Sequence, residues 1–246
     1  GGRCARCRVA ISARYPLVEL TLGLLAVALF VGFLPDLDAT SRADVRFVFR
    51  VLAPTLLCLV FVAALVGNAL IDLDWFILPN EMTLPLIPMG ILTAWAVGPV
   101  TGVTPTDAAI GAAVGALLLL VILVVYGLLT GRSGLGGGDW KLLGAIGAYL
   151  GATSLPFVLF AASLQGLLLA LVLRRSFAVA ELPPDPADME PGAAVPPPSA
   201  DLPLEAAKVP FRQLAVPFGP FLALAAVEYL LLRDEIRRFY AMLFPG

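Results

Sequence analysis

The candidate acidic groups beside the apolar stretches of this chain are Glu19, Asp72, Asp74, Asp139 and Glu228. An acid in such a place is costly and needs either a partner or a task. The 246 residues contain no histidine. Ser-His and Cys-His nucleophile pairs, an HExxH zinc site and any imidazole base are therefore excluded. Chemistry here must use carboxylates, a lysine, hydroxyls or backbone. Asp72 sits in Leu70-Ile71-Asp72-Leu73-Asp74-Trp75-Phe76-Ile77-Leu78-Pro79-Asn80, where an apolar run ends. Asp139 closes Gly134-Leu135-Gly136-Gly137-Gly138-Asp139 and opens a helical pattern. The two are predicted at one membrane depth on one face. Carboxylates held a few ångströms apart cannot both ionise, so such a pair shares a proton. It can activate water and then protonate a departing amine, which is amide hydrolysis by a carboxylate dyad.

Each element of that reading has a plainer counterpart. Asp139 suits a helix N-cap, and Asp72 suits a charge at headgroup level. The glycines before Asp139, Gly136 and Gly138 among them, allow unusual backbone angles and close approach of an extended strand. They do not form a nucleotide loop, because no strand precedes them and no Gly-Lys-Ser/Thr follows. Lys141 with Ser133 is a further hydrolase pairing, although nothing places the two together. Cys4 and Cys7 form one Cys-x-x-Cys, half of a four-thiolate zinc site. Cys58, inside an apolar run, reads as an inert buried side chain.

The elements that must carry these residues are membrane helices. Sixty per cent of the residues are hydrophobic, 14% are charged and the mean hydropathy is +0.94. Soluble domains carry about 25% charged residues. Each spanning helix takes about 20 apolar residues. Runs cover 17–34, 47–70, 83–98, 108–129, 140–173 and 214–232. The fifth contains Gly151-Ala152-Thr153-Ser154 and Pro156, so it reads as a hairpin of two helices. The fold class is therefore an all-α polytopic bundle with about seven transmembrane helices. Its domains are a Cys-containing remnant over 1–16, a membrane bundle over 17–175, a loop over 176–213, and a last helix with tail over 214–246. The loop holds nine of the 21 prolines and reads as disordered and cytoplasmic. Arginines before residue 17 and between the last two spans put those ends in the cytoplasm; Arg233, Arg237 and Arg238 violate the bias. Gly144 with Ala148, and Gly147 with Gly151, form small-xxx-small pairs suited to close packing. No basic stripe suits nucleic acid.

Four ordered motifs resemble one family, the type IV prepilin peptidases with their GxGD signature. They are Cys4-x-x-Cys7 leading to Arg14 and Glu19, and Ile71-Asp72 through Leu78-Pro79-Asn80. The third is Gly134-x-Gly136-x-Gly138-Asp139-x-Lys141, followed by Ile146 to Gly151. The last is Pro217-Phe218-Gly219-Pro220-Phe221. The resemblance implies a multi-pass aspartic endopeptidase of the bacterial inner membrane with its site facing the cytoplasm. Its partners would be the bilayer and prepilin or pseudopilin precursors, whose basic leader is cut after a glycine. Asp72 and Asp139 match the catalytic pair. Asp72 rather than Asp74 is selected because it stands seven residues before Pro79. Gly136, Gly138 and Lys141 match supporting positions. Arg14 and Glu19 suit an ion pair or a substrate contact equally. The peptidase needs no cofactor, whereas N-methylation would use S-adenosylmethionine. Zinc at Cys4 and Cys7 would require a second Cys pair, expected upstream of Gly1 in a truncated chain. The competing class is a small ion- or proton-coupled transporter using intramembrane acids.

Overall fold

The computed structural model describes residues 6–7, 12–34, 48–130, 136–173 and 217–243. Cys4, Ser133, Gly134 and the proline-rich stretch 176–213 lie outside them. The described residues are helical, in the order α1 (Arg14–Gly32), α2 (Ala53–Trp75), α3 (Asn80–Thr83), α4 (Leu86–Thr101), α5 (Pro105–Thr130), α6 (Asp139–Leu150), α7 (Leu155–Leu173), α8 (Gly219–Leu231) and α9 (Arg233–Leu243). A π-turn, Val48–Leu52, leads into α2, and a 3₁₀ turn, Ala152–Ser154, joins α6 to α7. The division into compact units falls within α7, after Gln165.

Five stretches are long and apolar enough to cross a membrane, Arg14–Gly32, Phe49–Trp75, Asn80–Thr101, Pro105–Thr130 and Ala152–Val172. The expected run 140–173 divides as the turn residues predict. The sequence pattern predicts seven crossings, and the two helices beyond the five, α6 and α8, have 12 and 13 residues. At 1.5 Å per residue each rises only about 20 Å, short of the roughly 30 Å hydrocarbon core.

Local chemistry sets the helix ends. Phe76 ends α2 in the left-handed region (φ 55°), with its N–H on the Asp72 carbonyl at 2.9 Å. Gly102 (φ 65°) ends α4 in the same manner. Thr104 Oγ1 then accepts the Asp107 N–H at 3.1 Å, and Pro105 occupies the first turn of α5. Both are standard helix-start chemistry. The Asp107 carboxylate is thereby free to accept the Ala152 N–H at 3.1 Å and cap the 3₁₀ turn.

The core is built around α6, which is buried along nearly its whole length. It meets α5 backbone to backbone. A Cβ on Gly147 would lie 2.1 Å from the Gly111 carbonyl oxygen, and one on Gly115 would lie 2.6 Å from that of Leu143. Gly144 faces Ala112 and Ala116 of α5. The expected small-xxx-small pairs are thus re-partitioned. Gly144 and Gly147 share the α5 face, Ala148 packs against Gly90 of α4, and Gly151 (φ 82°) ends the helix. The matching four-residue repeat is Gly111-x-x-x-Gly115 on α5.

At the bundle end remote from Asp72, α9 is sharply amphipathic. Arg233 donates to the Thr101 carbonyl, and Arg237 Nη2 donates to the Gly102 carbonyl at 3.1 Å. Two of the arginines that break the charge bias therefore cap the C-terminus of α4, where cations are favoured.

Candidate active site

Asp72 lies in the last turn of α2 and Asp139 in the first turn of α6, and only 5% and 3% of their surfaces are exposed. The fold brings them to one end of the bundle, where the charge of Asp72 acts on Asp139. Burial first and the Asp72 charge second push the Asp139 carboxyl up to about 7, and the Gly136 backbone partly offsets them. Asp139 does not cap its helix. Gly138 holds the N-cap position, and no side-chain capping bond forms there.

Three glycines shape this end. Gly136 lies against the Asp139 carboxylate, where a Cβ would stand 3.2 Å from Oδ2. A Cβ on Gly138 would meet Leu78 Cβ at 2.5 Å. Gly219, the first residue of α8, donates its N–H to Asp72 Oδ2 at 3.0 Å. Leu78, itself buried, also lies 3.4 Å from where a Gly219 Cβ would be. One leucine side chain is therefore packed against the glycine beside Asp139 and the glycine bonded to Asp72.

Two cations among the described residues of this end, Lys141 and Arg14, are engaged elsewhere. Lys141 donates to Asn80 Oδ1 at the start of α3, tying α6 to the loop that follows Asp72. Arg14 binds Asp74 in a two-pronged pair, Nη1–Oδ2 at 2.6 Å and Nη2–Oδ1 at 2.8 Å. Arg14 is thus in an ion pair, and its acid is Asp74. Positions two apart on a helix point about 200° away from each other, so Asp74 faces α1 while Asp72 faces inward. Glu228, another acid on an apolar stretch, accepts from Gln165 Nε2 at 2.8 Å, linking α8 to α7.

Asp74→Asn is accordingly expected to keep most of whatever activity Asp72 and Asp139 support, with little loss of stability. The pair is exposed, 49% and 41% for the two side chains, and such pairs contribute little. Turnover and thermal unfolding of the variant check this, and an inactive, well-folded Asp74→Asn would overturn the choice of Asp72.

Among the described residues, no group of three or more His, Cys, Asp or Glu side chains gathers as a metal site. Cys7 is exposed. Cys4 and Cys7 would supply two of the four ligands of a closed tetrahedral site.

A helical membrane bundle with two buried, interacting aspartates at one end is the class that fold and site define. Comparison with known proteins narrows it. Residues 56–171 match the type IV leader peptidase family, and residues 1–33 match the bacterial peptidase A24 N-terminal domain. The chain is 35% identical over 242 residues to a prepilin leader peptidase/N-methyltransferase of Aeromonas salmonicida, covering 97% of this chain and 65% of that protein. The Aeromonas hydrophila relative of the same description is also 35% identical, with the same coverage. That of Neisseria gonorrhoeae is 38% identical over 174 residues, 70% of this chain and 54% of that one. No solved structure matches. The chain belongs to the type IV leader peptidase family and spans about 65% of the length of the first two relatives.

The contacts Lys141–Asn80, Arg14–Asp74 and Gly219–Asp72 are not foreseeable from the motifs alone. The last has a signal, since Gly219 stands immediately before the proline that opens a helix.

Proposed function

We propose that this chain carries the peptidase activity of its family, cutting the basic leader from type IV prepilin or pseudopilin precursors after a glycine. The observation that carries this is the burial of Asp72 and Asp139 together at one end of the bundle, in a chain of this family. On this reading one carboxylate is ionised and takes a proton from water, whose oxygen bonds the scissile carbonyl carbon. The other gives its proton to the amine nitrogen as the carbon–nitrogen bond breaks. Gly136, without a side chain, lies close against the Asp139 carboxylate, and Gly138 admits Leu78 beside it. Lys141 acts at one remove, holding α6 against the Asp72 loop through Asn80. The chain would sit in the bacterial inner membrane with this end toward the cytoplasm, where the basic leader lies.

The relatives' names also include N-methyltransferase. Methyl transfer to the released amine would use S-adenosylmethionine as donor, and none of the described residues is assigned to it.

Incubating membranes that contain the chain with a pilin precursor, then sequencing the product's N-terminus, tests the proposal. A new N-terminus directly after the leader glycine is expected, and an uncut precursor overturns it. The pH dependence is a second expectation. Asp139 holds its proton below about 7, and a dyad that needs one protonated member loses it above. Then kcat/KM declines as pH rises through about 7; a rate still climbing beyond that range would contradict the assigned acid.

A further inference from the structure

We propose that Gly219 is a positioning residue of the dyad, its backbone N–H fixing the Asp72 carboxylate so that the second oxygen, Oδ1, is presented to the reacting water. This rests on the peptidase reading above. Three observations carry it. The bond from Gly219 N–H to Asp72 Oδ2 is 3.0 Å and buried, and it joins residues 147 apart in sequence. A side chain at 219 would displace the carboxylate, because a Cβ would fall 2.5 Å from Oδ2 and 3.2 Å from the carboxylate carbon. Finally, Gly219 is the first residue of α8 and is followed by Pro220, so its N–H is one of the donors that a helix start cannot satisfy internally. In an apolar bundle such a donor needs an acceptor. Asp72 is that acceptor.

The arrangement serves both elements. The start of α8 gains a cap from a side chain on another helix, and Asp72 gains a fixed orientation from rigid backbone. With Oδ2 engaged, Oδ1 remains to take the proton when the water oxygen bonds the carbonyl carbon. Asp139 then gives its proton to the leaving nitrogen, and the proton on Asp72 returns to Asp139 to reset the pair. The groups facing Asp72 are consistent with this division. Asp139 comes from α6, Gly219 from α8 and Leu78 from the following loop, while Asp74 and Lys141 are bound to Arg14 and Asn80. The side chain at 219 is thus constrained by what it would push aside.

The test uses the full chain in lipid with a precursor substrate. Gly219→Ala is expected to lower kcat about tenfold and Gly219→Val about a hundredfold, with KM nearly unchanged, since sub-ångström misplacement of a reacting group acts on turnover. In parallel, amide hydrogen exchange at Gly219 is expected to quicken about tenfold in Asp72→Ala. It should stay near the parent rate in Asp72→Asn, whose amide oxygen still accepts. Full kcat in a folded Gly219→Ala overturns the inference and leaves the peptidase reading standing. Equal deterioration of kcat, KM and melting temperature marks a purely structural role and also overturns it. Should Gly219→Ala fail to fold, unchanged exchange at Gly219 in Asp72→Ala overturns it. If the parent chain cuts no precursor, the peptidase reading falls and takes the inference with it.

Discussion

Asp72→Asn and Asp139→Asn are each expected to reduce precursor cleavage by about a thousandfold or more, the range that follows loss of a group essential to proton transfer. An amide has nearly the shape of a carboxyl group but cannot exchange the proton that the pair must share. Both variants are expected to fold. The side chain introduced by Asp72→Asn keeps an oxygen to accept the Gly219 N–H, so α8 retains its cap. The Asp139 carboxyl is raised from 3.8 to about 7 in the folded chain, so the folded state binds the proton more tightly than the unfolded state. The stability linked to that proton is complete below the unfolded value and is lost as pH rises through about 7. Asparagine cannot ionise. Asp139→Asn should therefore melt at a higher temperature than the parent above about pH 7, while being inactive. Precursor assays paired with unfolding curves at acidic and alkaline pH check both halves. A folded, active Asp139→Asn would remove the dyad from the mechanism altogether.

Gly147→Leu is expected to destabilise the bundle by about 3 kcal/mol or more, at the upper end of overpacking costs. The obstacle is backbone, because a Cβ at 147 would lie 2.1 Å from the Gly111 carbonyl oxygen and 2.5 Å from its carbonyl carbon. No rotamer relieves such a contact, so α5 and α6 must separate. Asp139 rides on α6 and would shift with it, so activity falls together with melting temperature. Gly23→Ala is the comparison, since nothing lies within 4 Å of the position a Cβ would take there. It sits inside α1, where alanine is preferred to glycine by about 1 kcal/mol. Enlarging a helical glycine thus has opposite expected signs at the two positions. Melting curves in one detergent measure both, and a Gly147→Leu as stable as Gly23→Ala would mean that the two helices do not meet as described.

Much of this is legible in the sequence, and the reasons are specific. Apolar runs of spanning length mark the long helices because lipid demands internally bonded backbone. The break at Gly151 and Pro156 marks the α6–α7 hairpin because neither residue continues a helix comfortably. The family resemblance, through the seven-residue spacing from Asp72 to Pro79, selects Asp72 over Asp74, and Asp74 is turned toward Arg14. Contact between distant segments is a different matter. Nothing near Lys141 in sequence points to Asn80, and nothing near Gly219 points to Asp72. Cap assignment is ambiguous for a similar reason, since Asp at a helix start usually caps, and only the packed structure shows Gly138 at that position. Gly111-x-x-x-Gly115 is visible as a repeat, but which neighbour it touches depends on topology.

The backbone contact between α5 and α6 has a mechanical consequence. With 26 residues, α5 is about 39 Å long, beyond the roughly 30 Å hydrocarbon layer, a length that tilting or projection past the hydrocarbon accommodates. Because glycines leave no compressible side-chain layer between the two helices, any tilt of α5 carries α6 with it as a rigid passenger. A membrane that changed the tilt of α5 would therefore also change the inclination of the helix that begins at Asp139.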